Sequence, residues 1–117
     1  MAESPQFAEL RTRYVQSLPD KHAALANAWR AFASAPDEQT AIELQALAHR
    51  LAGSAPAYGY EAIGEAAHVV DALLNAWTKR PAPEREDAAT LAKQIAAPTW
   101  ALVESLAHAI ETSPKTA

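Results

Sequence analysis

Apolar residues recur along this chain at spacings of three and four, the period of helices with one buried face. Ser4 and Pro5 suit an N-cap and first helical residue, and Phe7, Leu10, Tyr14 and Leu18 then predict a first short helix. Ser17 with Asp20 three residues on reads as a capping pair, with Pro19 in the tolerated first turn. Leu18, Leu25, Trp29 and Phe32 carry the second helix to about Ala35. Beyond Pro36, Asp37 caps a third helix with the stripe Leu44, Leu47, Leu51 and Ala55, closing near Gly59. A fourth begins near Tyr60 and turns Ile63, Ala67, Val70, Leu74 and Trp77 inward. Residues 79–83 hold Pro81 and Pro83 and form a connector. The last helix is expected from near Glu84, with Ala88, Leu91, Ile95, Leu102, Leu106 and Ala109 on one face. Pro98 leaves that phase undisturbed, so it marks a kink within one helix, and Thr112-Ser113-Pro114 ends it. Short connections make neighbours antiparallel. The expected architecture is all-α, an antiparallel up-down four-helix bundle with an extra short N-terminal helix.

Composition sharpens this picture. The 117 residues fit one domain, and thirty alanines against three glycines (Gly53, Gly59, Gly64) favour helices over a sheet with tight turns. The absence of Cys excludes a disulfide scaffold, Cys-ligated zinc, iron–sulfur clusters and cysteine chemistry. With 10 Lys+Arg against 14 Asp+Glu and no basic cluster, the chain is unsuited to phosphate-backbone binding, so no nucleic-acid partner is expected. The longest stretches free of charged residues, 51–60 and 94–103, fall short of the roughly 18–20 residues that span a bilayer. The N-terminus carries acidic Glu3 and no basic segment followed by an apolar run, so a cytoplasmic location without a membrane anchor is expected. No Gly-rich phosphate loop is present, which leaves the chain without an ATP site of its own.

Chemistry concentrates on the third helix. On a helical wheel His49 points about 140° from the centre of its apolar stripe, towards water. Around it lie Ile42, Gln45, Ala46, Ala52, Gly53 and Pro56, uncharged and mostly small, where a solvated face would carry Glu, Lys and Arg. Gly within a helix costs about 1 kcal/mol relative to Ala. At position 53 that cost is understandable if another molecule approaches the backbone beside the imidazole. A solvated imidazole is largely neutral near pH 7 and can act as a nucleophile towards phosphorus. The wheel alone leaves an ordinary surface histidine open.

The run His49-Arg50-Leu51-Ala52-Gly53-Ser54-Ala55, followed by Gly59, Ile63 and Val70-Asp71, resembles the signature of histidine phosphotransfer (HPt) domains. The resemblance spans about residues 7–79, with the last helix matching only as an amphipathic element. It implies that His49 accepts a phosphoryl group from a receiver-domain aspartate and passes it to another receiver, making the chain a phosphoryl carrier. Gly53 would leave room for the receiver's loops, and Ser54 would correspond to the family's Ser or Thr. The family's usual Lys three residues after the histidine is Ala52 here, and Arg50, about 100° around the helix, is a poor substitute. The implied partners are response-regulator receiver domains and a hybrid histidine kinase. The implied Mg2+ belongs to the receiver, so this chain is expected to hold no cofactor or metal and to act as a monomer.

A second strip, Gly64, His68, Asp71 and Asn75, lies on one flank of the fourth helix and could border His49; Asp71 and Asn75 could equally be plain solvated residues. His22, His68 and His108 lack the Gly-Ser-Ala pattern and read as surface or boundary residues. Glu65 and His68 have the Glu-x-x-His spacing of di-iron bundles but lack a second copy. Trp29 and Trp77 belong to apolar stripes, whereas Trp100 stands off its own. The rival to phosphotransfer is a helical module that docks on receivers or a kinase without moving phosphate.

Overall fold

The computed structural model describes residues 4–113, all four of its long elements helical and with no strand among the described residues. Helix α1 spans Pro5–Ser34, α2 Glu38–Ser54, α3 Glu61–Lys79 and α4 Ala88–Thr112. Short 3₁₀ turns occupy Pro56–Tyr58 and Ala82–Glu84. Glu3 and Pro114, which carry the expectations for the two ends, lie outside the described residues.

The separate N-terminal helix does not form. Helix α1 runs unbroken through Pro19, and Ser17 does not cap a new start: its hydroxyl donates to the Tyr14 carbonyl at 2.6 Å and accepts from Lys21 at 2.7 Å. A proline inside a helix costs about 3 kcal/mol. Against this, Leu18 and Leu25 are both fully buried, and burying a leucine contributes about 1.5–3 kcal/mol. Tyr14, Leu18, Leu25, Trp29 and Phe32 keep one phase across Pro19, which is exposed, so one continuous helix buries them all.

Side chains at the element starts set the boundaries. Ser4 accepts from the Phe7 amide at 3.1 Å, and Asp37 with Thr40 forms a reciprocal capping box at the start of α2. Helix α2 ends at Ser54, before the expected closure, because Pro56 opens the 3₁₀ turn. Gly59, at φ +90°, then reverses the chain in the left-handed region. Helix α4 begins at Ala88, later than expected near Glu84, because Asp87 accepts from the Thr90 amide at 2.7 Å. It passes through Pro98 without interruption.

Consecutive helices pack side by side and α1 closes the ring against α4. Their directions alternate: Tyr14 near the start of α1 meets Ser54 at the end of α2, and Tyr60 before α3 meets Ser113 after α4. The core contains Leu18, Leu25 and Phe32 with Leu44, Ile63, Leu74, Ile95, Leu102 and Leu106. On α2 the buried stripe is Ala41, Leu44, Ala48, Leu51 and Ala55; Leu47 is only half-buried, on the flank nearer α1. Trp29 and Trp77 are buried as expected, and Trp100 is exposed. Arg85 ties the connector down by donating to the carbonyls of Thr78 and Arg80, both at 2.7 Å, and pairing with Glu38 at 3.1 Å, its guanidinium over the Trp77 ring. This anchors the end of α3 beside the start of α2, fixing the register of the two helices that carry the candidate site.

Candidate functional site

His49 stands on the outer face of α2, its side chain 76% exposed, while Asp71 across the seam on α3 is only 15% exposed. Antiparallel packing brings His49 Nδ1 within 2.9 Å of Asp71 Oδ2. A carboxylate only accepts hydrogen bonds, so this contact makes Nδ1 the donor, and in the neutral form of the ring the lone pair then lies on Nε2, the nitrogen farther from Asp71. One turn back along α2, Gln45 Nε2 donates to Asp71 Oδ1 at 3.4 Å and to Asn75 Oδ1 at 3.2 Å. Thr78 on α3 donates to Gln45 Oε1 at 3.3 Å. A polar ladder therefore runs along one α2–α3 seam in a bundle whose core contains a single buried polar residue, Thr99, among the described residues. Ile42, Gln45, Ala46, His49, Asp71 and Asn75 line one open depression.

The remaining candidates divide. Ala52, Pro56, Gly64 and His68 border a second shallow depression together with Glu61, Glu65 and Val69. Within it Gly64, from the strip expected to border His49, is buried: a Cβ there would collide with Pro56 Cγ and lie 2.8 Å from its Cδ. Its missing side chain lets Pro56 pack against α3. Gly53 is the opposite case, since a Cβ there meets nothing within 4 Å. Among the described residues no contact accounts for glycine at position 53. Ser54 turns to the other side of α2, bonding the Tyr14 hydroxyl at 2.8 Å, while burial pushes that phenol above its ordinary value. Ala52 is half-buried and packs against the core. Arg50 lies in the groove between α1 and α2, on the far flank from Asp71.

Thr78 and Glu61 are not among the residues that spacing singles out, and Glu65 figures there only in its Glu-x-x-His pair with His68. Thr78 falls three residues after Asn75 on the same flank, so extending the strip Gly64, His68, Asp71 and Asn75 by one step reaches it. No group of three His, Cys, Asp or Glu residues able to hold a metal occurs among the described residues, and no described helix is long and apolar enough to cross a membrane.

The sequence model of the Hpt domain matches residues 9–112, all four helices included. This chain belongs to the Hpt domain family. The match carries through α4, which the motif around His49 does not reach. Membership implies histidine phosphotransfer within a phosphorelay and interaction with receiver domains. No curated protein and no solved structure shows significant similarity to the chain.

Proposed function

We propose that this Hpt domain carries its phosphoryl group on Nε2 of His49, taking it from the aspartyl phosphate of one receiver and giving it to the aspartate of another. The observation that carries this reading is the 2.9 Å contact of His49 Nδ1 with Asp71 on a ring left 76% exposed. The Nε2 lone pair attacks phosphorus in line, the nitrogen–phosphorus bond forms, and the bond from phosphorus to the receiver's carboxylate oxygen breaks, returning that carboxylate to the receiver. Nδ1 keeps its hydrogen throughout. The ring gains positive charge as Nε2 is substituted, and the Asp71 carboxylate on Nδ1 stabilises that charge where it develops. The reverse step delivers the group to the second receiver. Phosphoryl transfer depends chiefly on positioning and charge neutralisation, and the receiver's acidic pocket and divalent metal would supply the remainder.

Gly53, with open space where a side chain would stand, supports close approach of the receiver to α2 beside His49. Ile42, Ala46 and Asn75 would border the docked partner. Ala52 in place of the family's lysine favours a second reading, docking without transfer. Incubation with a panel of phosphorylated receivers separates the two: transfer predicts an acid-labile, base-stable label on the wild-type chain that His49→Gln abolishes with unchanged helical circular dichroism. Binding of receivers without any label would support the docking module instead.

A further inference from the structure

We infer that Gln45 is a positioning residue that holds Asp71 in the orientation that selects the Nδ1–H form of the His49 ring. The inference rests on the reading of His49 as the phosphoryl acceptor and extends it one residue inward. The two hydrogens of the Gln45 amide are directed at two acceptors, Asp71 Oδ1 at a long 3.4 Å and Asn75 Oδ1 at 3.2 Å, while its Oε1 accepts from Thr78 at 3.3 Å. The carboxylate sets the amide's orientation: reversed, its oxygen would face Asp71 Oδ1, whereas the Thr78 hydroxyl, whose single hydrogen also reaches the Asn75 carbonyl at 3.2 Å, can donate or accept. Asp71 is thereby held through Oδ1, which leaves Oδ2 directed at His49 Nδ1.

The choice of an amide at this position matters. A lysine would also reach Asp71, but its charge would cancel the negative potential that favours a cationic phosphorylated ring. A glutamate would set two carboxylates against each other, and, lying one helical turn before His49, could compete for the ring itself. Glutamine fixes the carboxylate's direction and leaves its charge available to the imidazole. Thr78, close to the carbonyls held by Arg85, links this arrangement to the anchored end of α3. An unpartnered neutral imidazole favours the hydrogen on Nε2, which would block the proposed nucleophile. The ladder therefore acts on the chemistry by setting which nitrogen is free.

The test uses the full chain with nitrogen-15-labelled histidine at about pH 8, where an exposed imidazole is neutral. The nitrogen shifts of His49 report the two forms directly. Wild type should show mainly Nδ1–H, Asp71→Ala mainly Nε2–H, and Gln45→Met a mixture between them, with helical circular dichroism unchanged. Methionine keeps the length of glutamine without its hydrogen bonds, so a residue that merely fills the seam would leave the spectrum as in wild type. Transfer from a phosphorylated receiver to Gln45→Met should slow about fivefold, the effect of losing one ordinary hydrogen bond. A wild-type nitrogen pattern, or an unchanged transfer rate, in Gln45→Met overturns the positioning role while leaving the phosphorylation of His49 intact. A wild-type ring in the Nε2–H form overturns it together with the role given to Asp71.

Discussion

Gly53 and Gly64 sit on neighbouring helices, one exposed and one buried, and they leave space for different things. A side chain on Gly64 would strike Pro56 of the same molecule, whereas a Cβ on Gly53 would meet nothing within 4 Å among the described residues. The first glycine is explained by the fold. The second, in the last turn of α2, lowers its stability by at most about 1 kcal/mol relative to Ala, with no packing contact from its own Cβ position in return. A helix residue that the fold does not require, one turn from an exposed histidine, points to a constraint from outside the molecule. The comparison also shows how far a small-residue pattern can be trusted: both glycines looked like docking positions in the sequence, and only the packing distinguishes them.

That contrast can be broken in several ways. The largest effect is expected at Gly53. Gly53→Gln should lower transfer from a phosphorylated receiver by tenfold or more, since small misplacements of reacting groups are expensive, while raising the thermal midpoint through better helix propensity. Equal rates in the two proteins would remove the steric role. Gly64→Ala should do the reverse, destabilising the fold by about 1–3 kcal/mol through overpacking, as read by denaturant unfolding. Adding Pro56→Ala should restore much of that loss, because the two residues are in direct contact. Full stability in Gly64→Ala alone would show that the ring simply moves aside.

A smaller effect is expected from Ala52→Lys. Position 52 borders the depression that also contains Glu61 and Glu65, so a lysine there would be shared between those carboxylates and a phosphoryl group on His49. Slower phosphohistidine hydrolysis or faster transfer, up to about fivefold, is the expected gain, because an exposed ion pair contributes about 1 kcal/mol or less. No change in either rate would mean that the native domain takes its positive charge from the partner.

The smallest effect lies away from the site. The amide and hydroxyl of Thr40 hold the Asp37 carboxyl below its ordinary value. Its capping contribution is complete above the unfolded-state value and is lost as pH falls through the lower folded-state value. Acid titration of helicity below about pH 4 should therefore be slightly flatter in Asp37→Asn, whose cap does not titrate. Superimposable acid limbs would remove Asp37 from the account of α2.

Most of the bundle was legible because its apolar residues keep helical phase, but the two helix prolines show where that reading needed discipline. Across Pro98 the unchanged phase of Ile95 and Leu102 correctly implied one helix. Across Pro19 the phase of Tyr14, Leu18, Leu25 and Trp29 is equally unbroken, yet Ser17 and Asp20 imitated a capping pair and suggested a new start. Local capping signals are worth about 1 kcal/mol, less than a continuous buried stripe. At the site, the outward direction of His49 and the flank carrying Asp71 and Asn75 could be read from spacing. The contacts of Gln45 with α3 could not, because they depend on the axial register between two helices, which Arg85 and the connector help to fix. Ser54 illustrates the same limit: one residue beyond Gly53, it is turned about 100° away and serves α1.

Identifying the substituted atom decides whether the phosphoryl group sits on Nε2 of His49. Phosphorylated, nitrogen-15-labelled chain should show phosphorus coupling at one histidine nitrogen, Nε2 of residue 49, with Nδ1 still carrying its hydrogen. Coupling at Nδ1 of His49, or at any nitrogen of His22, His68 or His108, would contradict the account.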